Sequence, residues 1–248
     1  MRVPTLDGVI ERRLLVNYRV DPDAIIGVLP PPFRPKLAGG YAIAGICLIR
    51  LASVRPHGLP ARLGLGSENA AHRIAVAWNA DGHTHEGVYI PRRDSDSRLN
   101  ALVGGRVFPG QHHKAIFTVS ESDDQLSVAL QSDDERTHVT VVGRIAQTLP
   151  PGSVFTNLEE ASAFFRGGSI GYSATDRQGR YDGLELRIAE WRAEPLTVEH
   201  VASSFFDDTS RFPVGTATFD CALVMRAVPH SWHALPTLSY SAVDTSAA

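Results

Sequence analysis

Two lysines, Lys36 and Lys114, stand against 22 arginines in a chain of 248 residues. Codon usage is the plain explanation of such a bias. It still singles out the lysines, because an amine can lose its proton and attack a carbonyl, and a guanidinium cannot. Lys36 lies in the loop Phe33-Arg34-Pro35-Lys36-Leu37-Ala38 and is expected at the surface. Lys114 follows Gly110-Gln111-His112-His113 and opens an apolar run. An unperturbed lysine titrates near ~10.4, so a nucleophilic Lys114 needs apolar enclosure, nearby cations and distance from a carboxylate such as Glu68. Strand alternation puts His113 with Ala115, Phe117 and Val119, and puts Lys114 with Ile116 and Thr118 on the opposite face. The plainer reading is therefore an outward, solvated Lys114. The sharper one has the loop before it turn the amine into a pocket.

The other polar clusters carry weaker chemistry. His83 and His85 share a strand face, and His112 and His113 adjoin a Gly-Pro loop. No H-E-x-x-H or C-x-x-C spacing accompanies them, so solvated turn histidines are the preferred reading and no metal site is expected. There is no G-x-S-x-G nucleophile motif. Gly64-Leu65-Gly66 and Gly104-Gly105 do not open helices, so phosphate cradles are not expected. Glu68 and Asn69 enter a strand just after the Gly-Leu-Gly run. They read either as a polar pair at a strand edge or as a carboxylate and amide at the rim of a pocket.

The elements that must position these groups are mostly strands. Period-2 or continuous apolar runs fall at 14–18, 41–51, 70–78, 85–90, 114–120, 125–131, 138–145, 184–191 and 216–226. Asn79-Ala80-Asp81-Gly82 has hairpin-turn chemistry, and the runs at 114–145 read as a meander. Three helices are expected. The first is opened by Asp21-Pro22-Asp23 and stopped by Leu29-Pro30-Pro31. The second carries a capping box at Thr156-Asn157-Leu158-Glu159 and ends at Gly167-Gly168. The third starts at Thr197, with Val198, Val201 and Phe205 on one face. The expected fold class is α+β, mainly antiparallel β. One domain over 1–238 and a frayed tail over 239–248 are expected.

Composition narrows the class of partner. The chain is 43% hydrophobic with a formal net charge of -3, which excludes a disordered chain. No basic run supports nucleic-acid binding, and no window approaches the roughly 18 apolar residues of a membrane span. The first residues lack a secretory apolar region, and Cys47 and Cys221 are too few for a disulfide framework. A cytoplasmic location with reduced thiols is expected. The expected partner is a small molecule, with no nucleic acid, no membrane and no cofactor. A homo-oligomer is compatible with these features.

Tyr18-Arg19-Val20-Asp21-Pro22-Asp23-Ala24, then Leu29-Pro30-Pro31-Pro32, resembles the N-terminal segment of acetoacetate decarboxylases. Gly64-Leu65-Gly66, and then Gly105-Arg106 with Lys114 at the matching distance, resembles their later blocks in the same order. Phe164-Phe165-Arg166-Gly167, Gly171-Tyr172-Ser173 and Trp191 are similar to an uncharacterised YqjF-like bacterial branch of that superfamily. The resemblance implies a closed, barrel-like antiparallel sheet with a few flanking helices and an internal pocket. It places the family's Schiff-base lysine on His113, its second lysine on Lys114, its substrate arginine on Glu11 and its key acid on Ala70. A one-residue slip would return the amine to Lys114, and Arg12, Arg13 and Glu68 stand beside the other two positions. Two functions follow. One is a lyase-type enzyme acting on a keto or carboxylate compound. Its catalytic residues would be Lys114, His113 and Glu68, and its substrate contacts Arg12, Asn69, Arg106 and Gln111. The other is a non-catalytic barrel that binds an apolar or acidic ligand.

Overall fold

The computed structural model describes residues 5–97 and 109–240. Thirteen strands among them form one sheet. The first half contributes β1 (Leu6–Val20), β2 (Arg34–Pro35), β3 (Leu37–Ala38), β4 (Tyr41–Pro56), β5 (Leu65–Ala80) and β6 (His83–Ser95). The second half contributes β7 (His112–Glu121), β8 (Gln125–Ser132), β9 (His138–Ile145), β10 (Ile170–Ala174), β11 (Arg180–Ile188), β12 (Glu194–Ser203) and β13 (Ala217–Ser239). Their order is β11-β10-β6-β7-β8-β9-β12-β13-β1-β4-β5-β2, with β3 on β4. Two further pairings join β5 to β6 and β11 to β13. Strand β6 pairs in parallel with β7 and β10, and the other pairs are antiparallel.

Local chemistry explains the connections. The β5–β6 hairpin closes at Ala80 and His83, with Asp81 and Gly82 both at positive φ. That is the two-residue turn whose twist matches its flanking strands. The meander β7–β8–β9 is present as expected. Helix α1 (Pro22–Ile26) is shorter than its sequence signals suggest, although Asp21 caps it by accepting from the Asp23 amide and proline stands at its start. Helix α2 (Leu158–Arg166) starts one residue later than the capping box expected: Asn157 accepts from the Glu160 amide, and the Glu160 carboxylate turns back onto Thr156.

The expected third helix is a correction. Residues Glu194–Ser203 are β12, held between β9 and β13. A register shift against β9 between Val198 and His200 inserts one residue, so Val198 and Val201 stand three apart. A bulge thereby produced a helix-like spacing in a strand. Phe205 leaves the strand and packs with Phe206 and Phe212. No helix among the described residues is long and apolar enough to cross a membrane.

Strands β1, β4 and β5 are buried on both faces. One face carries Leu14, Val16, Ile46, Leu48, Ile74 and Val76 into the largest core, which reaches Val128, Val141 and Phe206. Each fully buried aliphatic side chain there contributes about 1.5–3 kcal/mol. The other face carries Leu15, Cys47 and Ala75, which pack with Phe165 of α2. Leu51, Leu184 and Trp232 continue that face in a third cluster. Between the second and third clusters the wall is incomplete, and that gap is the candidate site.

Candidate functional site

The gap is a cavity of about 120 Å³. At roughly 10–15 Å³ per water, it has room for about eight to twelve waters, or a small organic molecule. Strands β1, β4, β5, β6, β10, β11 and β13 all contribute to its wall, and Phe164 and Phe165 of α2 cover it. Leu15, Ile49, Val88, Ile90, Leu184 and Trp232 make most of the wall apolar.

Three arginines break that apolar lining: Arg13, Arg73 and Arg93. Strand alternation brings them there. Arg13 is two residues before Leu15 on β1, and Arg73 is two before Ala75 on β5. Arg73 is 6% exposed. Its Nη2 donates to Asn17 Oδ1, and its guanidinium lies 5.0 Å from the centre of the Phe165 ring. Asn17 is held in turn by its amide nitrogen, which donates to the Leu15 carbonyl at 3.2 Å. Arg73 Nε is buried with no hydrogen-bond acceptor. Arg13 Nε donates to Cys47 Sγ at 3.2 Å, and its guanidinium lies 5.9 Å from the Trp191 ring centre. Arg93 Nε donates to the Pro109 carbonyl at 2.9 Å. The adjoining Gly110 is required there: its φ is +91°, and an added Cβ would stand 2.7 Å from Ser173 Cβ.

Among the described residues, none of these three guanidiniums is paired with a carboxylate. Burial pushes Arg73 and Arg93 down to about 10, and Arg13 adds to the effect on Arg73. Both values lie well above neutrality, so the two remain cationic at pH 7. Asp94 also borders the cavity, but its carboxylate is held by Arg92 at 2.7 Å. The site therefore presents uncompensated positive charge to a small, largely apolar space.

The sequence candidates divide around this wall. Asn69 lines the cavity; it accepts from Ser95 Oγ at 2.8 Å and donates to Ser67 Oγ at 2.9 Å. Glu68 and Arg12 face away from it and pair with each other at 2.5 Å. Arg50 reaches Glu68 at 2.6 Å, and Arg12 also reaches Glu121 at 2.7 Å, which makes an ion network that runs from the buried Arg12–Glu68 pair to the surface. His113 Nδ1 lies 3.3 Å from Asp134, and Lys114 Nζ lies 3.0 Å from Asp133; neither lines the cavity. Gln111 is exposed and outside it, and Arg106 lies outside the described residues. Lys36, expected at the surface, is partly exposed and also borders the cavity. Its amine lies 2.6 Å from Glu86 and 4.6 Å from the Phe164 ring centre. The short strands β2 and β3 pair the residues on either side of Lys36 with β5 and β4, a placement that no local signal in a proline-rich loop announces. Sequence reasoning gave no site role to Arg73, Arg93 or Cys47, and it read His112, which also lines the cavity, as a solvated turn histidine. Arg73 was visible as a charge inside an otherwise apolar strand run, Ala70-Ala71-His72-Arg73-Ile74-Ala75-Val76.

The family model DUF2071, described as an uncharacterized conserved protein, matches residues 9–214. No curated protein matches the chain. Several solved structures share its fold. An acetoacetate decarboxylase-like enzyme from Sphingomonas wittichii RW1 is similar at a TM-score of 0.57 and 10% identity, over 97% of this chain and 94% of that one. Acetoacetate decarboxylase from Legionella pneumophila gives 0.56 and 13%, over 95% of this chain and 88% of that one. The enduracididine biosynthesis enzyme MppR, in complex with pyruvate, gives 0.58 and 13%, over 98% of this chain and 93% of that one. At such identities the likeness shows the fold alone, a mainly antiparallel sheet with few helices.

Proposed function

The chain belongs to the DUF2071 family of uncharacterized conserved proteins, and from that premise we propose that it holds a small organic acid in the arginine-lined cavity. The observation that carries this reading is the trio Arg13, Arg73 and Arg93 without a carboxylate partner among the described residues. A charge in an apolar wall is costly unless something pairs with it. A ligand carboxylate supplies the missing anion, and guanidinium forks suit that group. Leu15, Ile49, Val88 and Leu184 then cover the ligand's carbon body. The complex of MppR with pyruvate, on a similar fold, supports an acid of this size.

The fold reading goes with it. The β5–β6 and β11–β13 pairings support a closed, barrel-like sheet, with the acid site enclosed by the strands that those pairings join. Within it, the keto- or carboxylate-directed enzyme is favoured over a passive binding barrel by Lys36 and Asn69, which bring an amine and an amide to the same cavity. Lys114 as a Schiff-base amine, with His113 as its acid or base and Glu68 as orienter, remains the alternative catalytic set. Arg12, Gln111 and Arg106 would then serve as its substrate contacts. Lys114, His113 and Glu68 are not among the residues that line the cavity, which favours the cavity-facing set over it.

The test is titration calorimetry with pyruvate, acetoacetate and butyrate, and with their amides as uncharged controls. Saturable binding of an acid but not its amide, weakened in Arg73→Gln, is the expected result. Absence of binding by any of the acids to folded protein overturns the reading.

A further inference from the structure

Cys47 lies on β4 opposite Leu15 of β1, is 3% exposed, and lines the acid cavity. Its sulfur accepts a hydrogen bond from Arg13 Nε at 3.2 Å. Arg73 and Arg93 line the same cavity as this sulfur. A nucleophilic side chain therefore stands among the three guanidiniums assigned to the ligand's carboxylate. The other cysteine is a contrast within the same chain. Cys221 is fully buried off the cavity wall, accepts from Asn17 Nδ2 at 3.6 Å, and is pushed up to about 12 by burial and by Asp220.

We propose that Cys47 is a nucleophile that adds reversibly to the carbonyl of a 2-oxo acid bound in this cavity. The inference rests on the acid-binding reading above and specifies the acid. A sulfur inside a carboxylate-binding cluster reaches carbon next to the carboxylate, and in a 2-oxo acid that carbon is the electrophilic ketone. The sulfur lone pair forms the S–C bond while the carbonyl π pair moves to oxygen. That oxygen takes the proton the thiol gives up, so the new hemithioketal centre is uncharged and the adduct keeps only the charge of its carboxylate. No electrons are gained or lost overall, and no co-reactant is needed. The developing oxyanion forms beside Arg13, Arg73 and Arg93, where preorganised donors stabilise it.

The experiment adds pyruvate labelled with carbon-13 at the ketone carbon to the intact protein and records carbon NMR, with calorimetry on the same samples. The expected result is a protein-bound tetrahedral carbon signal, distinct from the free hydrate and lost in both Cys47→Ser and Cys47→Ala. Mass mapping after iodoacetate treatment is expected to show Cys47 carboxymethylated and Cys221 untouched, with pyruvate protecting Cys47. Two variants of different polarity, each checked for folding by circular dichroism, guard against loss through misfolding. If calorimetry shows pyruvate bound but the tetrahedral signal is absent, or persists in the variants, the thiol proposal falls and the acid site stands. If neither pyruvate nor any other acid binds folded protein, both fall together.

Discussion

An arginine inside a protein wall needs an anion, and Arg12 and Arg73 meet that need differently although both are at least nine-tenths buried. Arg12 has two carboxylate partners, Glu68 and Glu121, although its own Nε is also without an acceptor. Arg73 has one amide acceptor, an aromatic ring and an unfilled Nε. Arg73→Gln is therefore expected to weaken acid binding about 10- to 100-fold, the loss of one charge-assisted hydrogen-bond set, with little change in the urea midpoint. Arg12→Met is expected to do the reverse. It breaks the buried Arg12–Glu68 pair at a cost of about 1–3 kcal/mol, since Arg50 still pairs with Glu68, and leaves acid affinity unchanged, as urea denaturation and calorimetry on both variants will show. His72 supplies a second test at this scale. It is fully buried against Phe205, with neither ring nitrogen hydrogen-bonded. Burial, with Arg92 and Arg211 nearby, lowers it to about 3. His230 is lowered to about 4, again mainly by burial. Between those values and the ordinary histidine range the unfolded chain binds more protons than the folded one, so stability falls as pH drops below about 6.5. His72→Phe is expected to flatten that fall by about 1.4 kcal/mol per pH unit between about pH 4 and 6.

At the scale of the element, the decisive variable is which face of a strand a residue occupies. The resemblance drew attention to three stretches, 11–13, 68–70 and 113–114; the first two reach the cavity, through Arg13, Asn69 and Ala70, while at the third only the preceding residue, His112, does. The neighbours Arg12, Glu68 and His113 do not line it. A shift of one residue in a strand moves a side chain to the opposite face, so matching spacing located the strands more securely than the side chains. Most strands were legible from their apolar runs and the β5–β6 turn from Asp81-Gly82. The long-range pairings of β6 with β7 and β10 left no local mark, nor did the bulge that disguised β12. Helix α2 was legible from its cap, and it covers the cavity with Phe164 and Phe165. Asn157→Ala removes the acceptor for the Glu160 amide and is expected to cost about 1 kcal/mol, with Asn157→Ser recovering most of it. Because α2 is part of the cavity's cover, the alanine variant is also expected to release a bound acid faster, which stopped-flow displacement will measure.

At the scale of the molecule, the cavity and the main core are built on the same strands. Val16 and Leu14 of β1 enter the core while Arg13 and Leu15 face the cavity, and β4 and β5 divide in the same way. A ligand in the cavity is thus held by the strands whose opposite faces hold the core together, with no separate lobe for it to stabilise alone. Binding free energy should pass into the stability of the whole fold. For an acid present at 100 times its dissociation constant, the linkage is about 2.7 kcal/mol. In a domain of this size that corresponds to a rise of roughly 5–10 °C in melting temperature. Calorimetric melting is expected to show one transition, moving upward with the logarithm of acid concentration and keeping its shape. The amide of the same acid should leave it in place, and Arg73→Gln should remove most of the shift. Two transitions, with only one following the acid, would mean that the cavity wall unfolds apart from the core, contrary to strands that carry both on their two faces.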